Sequence, residues 1–386
     1  MRIDFRILHK DHKARFGIAQ LVSGRSFETP NFMPVGTRGT VKGIDCERLS
    51  QIGAQIILVN TYHLMLRPGA NLVSELGGIH KFTGWYGPIL SDSGGFQVFS
   101  LKSIRKITED GVEFRSQIDG KLEFLSPERS ITVQNTLGVD IAMAFDECPA
   151  STLSEKELED SLGLTLRWAK RSLAARPESS QMALFGITQG GLAPRLRARS
   201  AEDLSQLSFD GYGIGGLSVG ETSAQMYDTL SYHVDQLPFE KIRYLMGVGT
   251  PRDIVEAVKN GVDLFDCVMP TRAGRCGRVF LKGAPPYINI RNSKFANDGS
   301  PLDQECTCLT CKHYSRGYLH HLFRVNEMLG PQLVSLHNLF HYLDLMKQIR
   351  SAIQRGIFDN LYRQVVSSWQ SFLGGNEFSQ PKVEPG

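Results

Sequence analysis

No stretch of this sequence is apolar for anything near the length of a bilayer span, so a membrane-spanning helix is not expected. The first residues, MRIDFRILHKDHKARF, carry charge in every turn and do not read as a secretory signal, which makes the cytoplasm the expected compartment. Cysteine is scarce and odd in number. Of the seven, Cys306, Cys308 and Cys311 fall within six residues, while Cys46, Cys148, Cys267 and Cys276 are scattered. Such a set argues against a disulfide framework and for reduced thiols with one metal cluster. A strong excess of either charge is also missing: a formal net charge of +3 is too small to imply a nucleic-acid partner by itself. With 41% hydrophobic and 22% charged residues, the chain is composed like a globular enzyme rather than a disordered protein.

A local absence says more. From Val268 to Asn297 there is no Asp or Glu, while Arg272, Arg275, Arg278, Lys282, Arg291 and Lys294 are all present, with Phe280, Tyr287 and Phe295 interleaved. Such a surface suits a polyanion, with aromatics available to its bases. Composition alone fits a solvated loop equally well.

Eight short apolar runs end in a polar residue or a glycine: TPNFMPVGT, AQIILVN, GPILSD, VDIAMAFD, ALFGITQ, GYGIGG, IRYLMG and VDLFD. Segments of helical spacing lie between most of them, among them SPERSITVQNTLG, LSEKELEDSLGLTLRWAKRSLAA and TPRDIVEAVKNG. Strands apolar on both faces and alternating with helices imply a parallel sheet, and eight units imply a closed (β/α)8 TIM barrel. A doubly wound open sheet is the runner-up. GVEFRSQ and KLEFL, flanking Ile118-Asp119-Gly120, predict a β-hairpin insertion after the third strand. The expected organisation is a catalytic barrel over 1–267, a basic metal-binding insertion over 268–330, C-terminal helices closing the barrel and completing the metal site over 331–373, and a disordered tail over 374–386.

Cys306, Cys308 and Cys311 supply three soft thiolates from one tight loop, which suits tetrahedral zinc once a fourth ligand closes the site. His313, His320, His321, His337 and His341 are available, and His337 is favoured because it can reach back from a helix while Leu333, Leu336 and Phe340 pack. His341 lies one turn away on the same face, so spacing does not exclude it. Four protein ligands leave no open position, so one structural Zn2+ per chain is expected.

In such a barrel the active site lies at the carboxyl ends of the strands, where Asn60, Asp92, Asp146, Gln189, Gly216, Gly247 and Asp266 converge. None of these is a lysine, which disfavours Schiff-base chemistry. Only His63 lies near them, which disfavours a metal-dependent hydrolase. A single Asp at a strand end is as readily a helix cap. Together they read as a site.

The surroundings of these residues, SDSGGFQVFS, FDECP, ITQGG, GYGIGGLSVGE, YLMGVGTP and FDCVMPTRAGR, stand in order along the chain with the cysteine cluster behind them. In this the sequence closely resembles the bacterial tRNA-guanine transglycosylases, the queuine tRNA-ribosyltransferase family, from about Phe5 to the helix after His337. The resemblance implies a zinc-containing (β/α)8 barrel. It also implies exchange of the wobble guanine of GUN-anticodon tRNAs (those for aspartate, asparagine, histidine and tyrosine) for a 7-deazaguanine base, in queuosine biosynthesis.

By motif match, Asp266 resembles the nucleophile that attacks the ribose C1′ and Asp92 the general acid/base, giving double displacement through a covalent intermediate. Asp146 resembles the reader of the base edge. Gln189 and the Gly216 N–H would donate to the guanine carbonyl, Ser93 would add a polar contact, and the Leu217 carbonyl would accept from an aminomethyl group. Phe96 and Met246 match positions that sandwich the ring, although either alone is more often a core residue. Val219 and Cys148 bear on which base fits. The residue at the Val219 position implies 7-aminomethyl-7-deazaguanine (preQ1) rather than queuine. Arg272 and Arg275 match residues that hold the anticodon loop, with Arg278 and Lys282 expected to extend that surface. A homodimer handling one tRNA is also implied. Two rivals are a non-catalytic tRNA-binding subunit of the same family, opposed by the presence of both Asp266 and Asp92, and a small-molecule barrel enzyme with an unrelated zinc insertion.

Overall fold

The computed structural model describes residues 2–100, 105–150 and 153–373. The tail expected to be disordered, 374–386, lies outside the described residues. Eight parallel strands close into a barrel, as the alternation of apolar runs and helices predicts. They are β1 (in two pieces, Asn31–Met33 and Val35–Gly36), β2 (Ile57–Val59), β3 (Ile89–Ser91), β4 (Ile141–Met143), β5 (Ala183–Thr188), β6 (Gly211–Ile214), β7 (Ile242–Leu245) and β8 (Leu264–Asp266). Pro34 lacks an N–H and divides β1. The first piece pairs with β8 and the second with β2, so this one broken strand closes the cylinder.

Within the barrel, Met33, Leu58, Leu90, Ile141, Met143, Phe185, Ile187, Tyr244 and Leu264 belong to one buried cluster. Their strand neighbours Phe32, Ile57, Val59, Ile89, Ala142, Leu184, Leu245 and Phe265 belong to another, shared with the helices. That is the two-residue alternation of strands packed on both faces, and it explains why the runs read as uninterrupted apolar segments.

The helices begin where the sequence supplies caps. Ser154 and Glu157 form a capping box for Glu155–Ala175, and Thr250 and Asp253 do so for Pro251–Lys259. Among the described residues no helix is long and apolar enough to cross a membrane.

Two features go beyond the sequence-based expectation. An antiparallel sheet of Ile3–Asp11, Ala14–Leu21 and Ser26–Thr29 precedes the barrel, and its Ile3, Ala19, Leu21 and Phe27 join the inner barrel cluster. The hairpin after β3 has a third strand: Arg105–Ile107 pairs with Val112–Arg115, which pairs with Leu122–Leu125. The predicted turn falls between the last two, with Gly120 at φ +73.

After β8 come the helix Met269–Arg275, a hairpin of Arg278–Phe280 and Tyr287–Asn289, and the helices Leu309–His313 and Arg316–Arg324. Val279, Ile290, Phe295, Leu302, Leu319 and Phe323 give this insertion its own small core. The long helix Leu329–Gln354 contributes Leu333 and Val334 to it, and Leu336 and Leu339 to the barrel core. One helix therefore belongs to both parts.

Candidate functional site

Strand parity carries the inward series one step past the apolar core: Leu58 to Asn60, Leu90 to Asp92, Ile187 to Gln189, Tyr244 to Met246 and Leu264 to Asp266. Asp92 and Asp266 stand at the barrel mouth with part of their surface still exposed.

Asp266 accepts hydrogen bonds from the Tyr244 hydroxyl at 2.6 Å and the Gly247 N–H at 2.7 Å, both on Oδ1. Its Oδ2 has no protein donor among the described residues. Burial raises the Asp266 carboxyl above its ordinary range, against the pull of these two donors. Asp92 is more fully engaged. Its Oδ1 accepts from the N–H of Thr61 at 2.8 Å and of Gly94 at 3.2 Å, and its Oδ2 from the side-chain amides of Asn60 and of Gln97, the latter at 2.7 Å. Burial outweighs all four donors and lifts Asp92 to about 6. The capping alternative is realised only across the barrel. Asn60, at the start of Thr61–Leu66, makes no side-chain cap, and Asp92 takes the Thr61 N–H instead. The chemical consequence is a pair of carboxylates in one low-dielectric mouth, one with an open oxygen and one able to exchange a proton near neutral pH.

Beside them, Asp146 is buried and accepts from Gln189 Nε2 at 2.8 Å and from the Ser93 hydroxyl at 3.3 Å. Its carboxyl also rises to about 6, again through burial. Close packing requires glycine on both sides of this group. A Cβ on Gly216, at φ +64, would collide with Gln189 Oε1, and one on Gly95 would lie 2.9 Å from the Asp146 carbonyl. Among the described residues Gln189 Oε1 is buried with no hydrogen-bond partner. Burial pushes the Cys148 thiol up to about 12, against the pull of the neighbouring Gly216 N–H and Gln189 amide.

Phe96 is 44% exposed, so it is not a core residue. Met246 is half-buried on the inward side of β7, where Gly213 leaves it room. Leu217 is buried, and Val219 is half-buried in a loop whose Ser218 and Val219 N–H groups donate to Glu221.

The cations are divided. Arg272 and Arg275 lie on the helix that follows Asp266, near Arg38 and Lys42. Burial and the charges of Arg275, Arg38 and Arg272 all push the Lys42 ammonium down, and burial pushes down Arg275. One guanidinium nitrogen of Arg275 is buried without a hydrogen-bond partner among the described residues. Crowded like charges of this kind form a seat for an anion. The other two expected tRNA contacts stand apart from this group: Arg278 lies over the Tyr287 ring at 4.8 Å and Lys282 pairs with Asp344 at 2.8 Å. Sequence reasoning missed Tyr244, Gln97, Arg38 and Lys42 as members of the site. The inward parity of Tyr244, two residues before Met246, was the available signal for one of them.

In the insertion, the donor atoms of Cys306, Cys308, Cys311 and His337 lie within 4.8 Å of one another. His337 Nδ1 is 3.6, 3.5 and 3.3 Å from the three sulfurs in turn. Its Nε2 faces the Phe280 carbonyl at 2.8 Å, which fixes the ring so that Nδ1 is the free ligand atom. His341 is stacked on Phe280 and His320 faces the Ile290 carbonyl, so the ambiguity left by spacing is resolved in favour of His337. Three thiols and one imidazole at this separation can hold a metal ion.

Fold and mouth together define an α/β-barrel enzyme with a mouth lined by buried carboxylates. The family model for queuine tRNA-ribosyltransferase matches residues 11–371. A queuine tRNA-ribosyltransferase of Marinobacter nauticus is 54% identical over 354 residues, which is 92% of this chain and 94% of that protein. Its counterpart in Jannaschia sp. is 52% identical over 354 residues, covering 92% and 93% of the two chains. The one in Francisella tularensis subsp. novicida is 50% identical over 366 residues, covering 95% and 99%. The chain belongs to the queuine tRNA-ribosyltransferase family and is a tRNA-guanine transglycosylase by class.

Proposed function

We propose that this enzyme exchanges the wobble guanine of GUN-anticodon tRNAs for preQ1 by double displacement at the ribose C1′. The observation that carries the reading is the division of labour between the two mouth carboxylates. Asp266 has both donors on Oδ1 and an open Oδ2, as a nucleophile needs, whereas Asp92 sits near 6, as a proton relay needs. Asp266 Oδ2 attacks C1′, the glycosidic electron pair leaves with guanine, and Asp92 supplies the proton. The incoming base then gives a proton to Asp92 and displaces Asp266, retaining the configuration.

Asp146, Ser93, Gln189 and Gly216 read the base edge, and the Leu217 carbonyl accepts from the aminomethyl group. Phe96 and Met246 hold the ring faces. Val219 and Cys148 limit the size of the base, which is why preQ1 is favoured over queuine. Of the four basic residues expected to hold the anticodon loop, the geometry favours Arg272 and Arg275, joined by Arg38 and Lys42. Arg278 extends that surface along the insertion, whereas Lys282 is held by Asp344 and is less available to it. The working form is a cytoplasmic homodimer on one tRNA, and the division into a barrel (1–267), a basic insertion (268–330) and closing helices (331–373) is functional. The test is exchange of labelled guanine into tRNA, competed by preQ1 and separately by queuine. Strong competition by preQ1 and weak competition by queuine is the expected result, and the reverse order removes the base assignment.

The metal is proposed to be one structural zinc. Cys306, Cys308, Cys311 and His337 would supply all four ligands of a tetrahedral site, so the ion would offer no Lewis-acid position and would serve to fold the insertion. Elemental analysis is expected to find about one zinc per chain. A Cys311→Ala, His337→Ala double variant should keep less than roughly a tenth of it, because two of four ligands are gone. Full retention would refute the ligand set.

A further inference from the structure

Arg197 is fully buried, yet among the described residues it has no carboxylate within ion-pair distance. The contrast with Arg15 is direct, since that equally buried guanidinium meets Asp263 at 2.5 Å. A buried charge without a paired carboxylate is costly; Glu221 acts on Arg197 only from beyond ion-pair distance, and Arg197 also lies in the first turns of Pro194–Ser205, where the helix dipole opposes a cation.

Its partners are three backbone carbonyls: Gly191 from Nε at 2.7 Å, Gly216 from Nη2 at 3.3 Å and Thr188 from Nη1 at 3.5 Å. These belong to the segments after β5 and β6 that carry Gln189 and Gly216. The same helix holds Gln189 a second time, because Ser200 Oγ accepts its backbone N–H at 3.0 Å. Thr188 also accepts from the Gly215 N–H at 3.0 Å, so one planar fork ties together the two loops that form the donor side of the base pocket.

Resting on the base-exchange reading above, we propose that Arg197 is a positioning residue for the departing base, fixing Gln189 and Gly216 and placing a positive charge behind them. When Asp266 bonds to C1′ and the C1′–N9 bond breaks, the electron pair goes to the purine before Asp92 protonates it. Negative charge spreads toward the purine carbonyl that Gln189 and Gly216 face. A fixed cation behind those donors, in a site shielded from water, stabilises this charge more than it stabilises the neutral base.

The experiment compares wild type with Arg197→Met and Arg197→Lys in labelled-guanine exchange, with kcat and the KM for guanine and for tRNA measured separately, below the melting temperature of each variant. Arg197→Met is expected to lose on the order of 100-fold in kcat/KM for guanine, while the KM for tRNA stays within about twofold. Arg197→Lys, which keeps the charge and loses the fork, should recover part of the kcat. Unchanged guanine kinetics in Arg197→Met, or a KM for tRNA that rises in step with that for guanine, overturns the proposal. If Arg197→Met does not fold, Arg197→Lys decides: wild-type kinetics, or a KM for tRNA that rises in step with that for guanine, overturns it as well. Failure of the wild type itself to exchange guanine is a separate outcome, and it removes the underlying reading instead.

Discussion

Asp266→Asn protein mixed with substrate tRNA should leave no covalent adduct on a denaturing gel, and its guanine exchange should fall by at least about 10⁴-fold, as happens when a nucleophile is removed from a site that acts as a unit. The substitution is nearly isosteric. The Tyr244 hydroxyl at 2.6 Å and the Gly247 N–H at 2.7 Å can still reach a carbonyl oxygen at Oδ1, so the barrel mouth has no reason to rearrange. What is lost is the open Oδ2, replaced by an amide nitrogen that cannot attack carbon. Burial already raises the Asp266 carboxyl, so the variant gives up a desolvated charge and should be at least as stable as the parent. An adduct of equal yield from both proteins would falsify the assignment.

Asp92→Asn should abolish exchange while tRNA binding stays within about twofold, because the role proposed for it is to move a proton and not to hold the loop. The pH dependence gives a second readout. With Asp92 near 6, its acid form dominates below that value and its ionised form above. Adduct formation, which needs a proton on the departing base, should slow as pH rises through 6, by up to about tenfold per unit once the acid form is scarce. Its stability effect has a defined sign. The folded carboxyl lies above its unfolded value, so the folded state binds more protons between about 4 and 6, and wild-type stability from this group declines as pH rises across that window. Asp92→Asn lacks the ionisation and should be no less stable than wild type at neutral pH, while losing the alkaline fall in adduct formation. A variant that keeps the wild-type pH profile would take Asp92 out of the acid/base role.

Much of this site was legible in one dimension because the barrel repeats a simple rule. The apolar runs end at the mouth, so Asn60, Asp92, Gln189 and Asp266 could be picked out as strand ends and from the SDSGG, TQGG and FDCVMP contexts. The three cysteines were equally plain, since a tight loop places them together whatever the rest of the chain does. The N-terminal sheet was not legible. Its alternation is diluted by charge, and Ile3, Ala19, Leu21 and Phe27 show their purpose only against the inner barrel cluster. The third strand of the insertion, Arg105–Ile107, was hidden for a similar reason, being three residues long with two of them basic.

Long-range partners account for the rest. The stretch from Val268 to Asn297 contains no acid, yet Lys282 meets Asp344 across the fold and its own N–H meets Asp303. A local absence of carboxylates therefore did not make every cation in it available to a polyanion. Likewise His337 and His341 are equivalent by spacing, and only the Phe280 carbonyl, 57 residues away in sequence, orients the His337 ring toward the cysteines. Arg197 lay unnoticed in a helix of otherwise ordinary composition until its three carbonyl partners showed where its charge is placed.

The sequence by itself determined the parallel barrel, the strand ends that meet at its mouth, the family, and the presence of two carboxylates and a metal-ready cysteine loop. These follow from local periodicity and from residue types whose chemistry does not depend on distant neighbours. The tertiary structure alone decided which carboxylate has an open oxygen, how burial raises each of them, which histidine faces the thiols and which cations lie beside Asp266. The reason is physical: a proton equilibrium or a ligand geometry depends on burial and on donors brought in from other strands, and neither is encoded at the residue that responds to them.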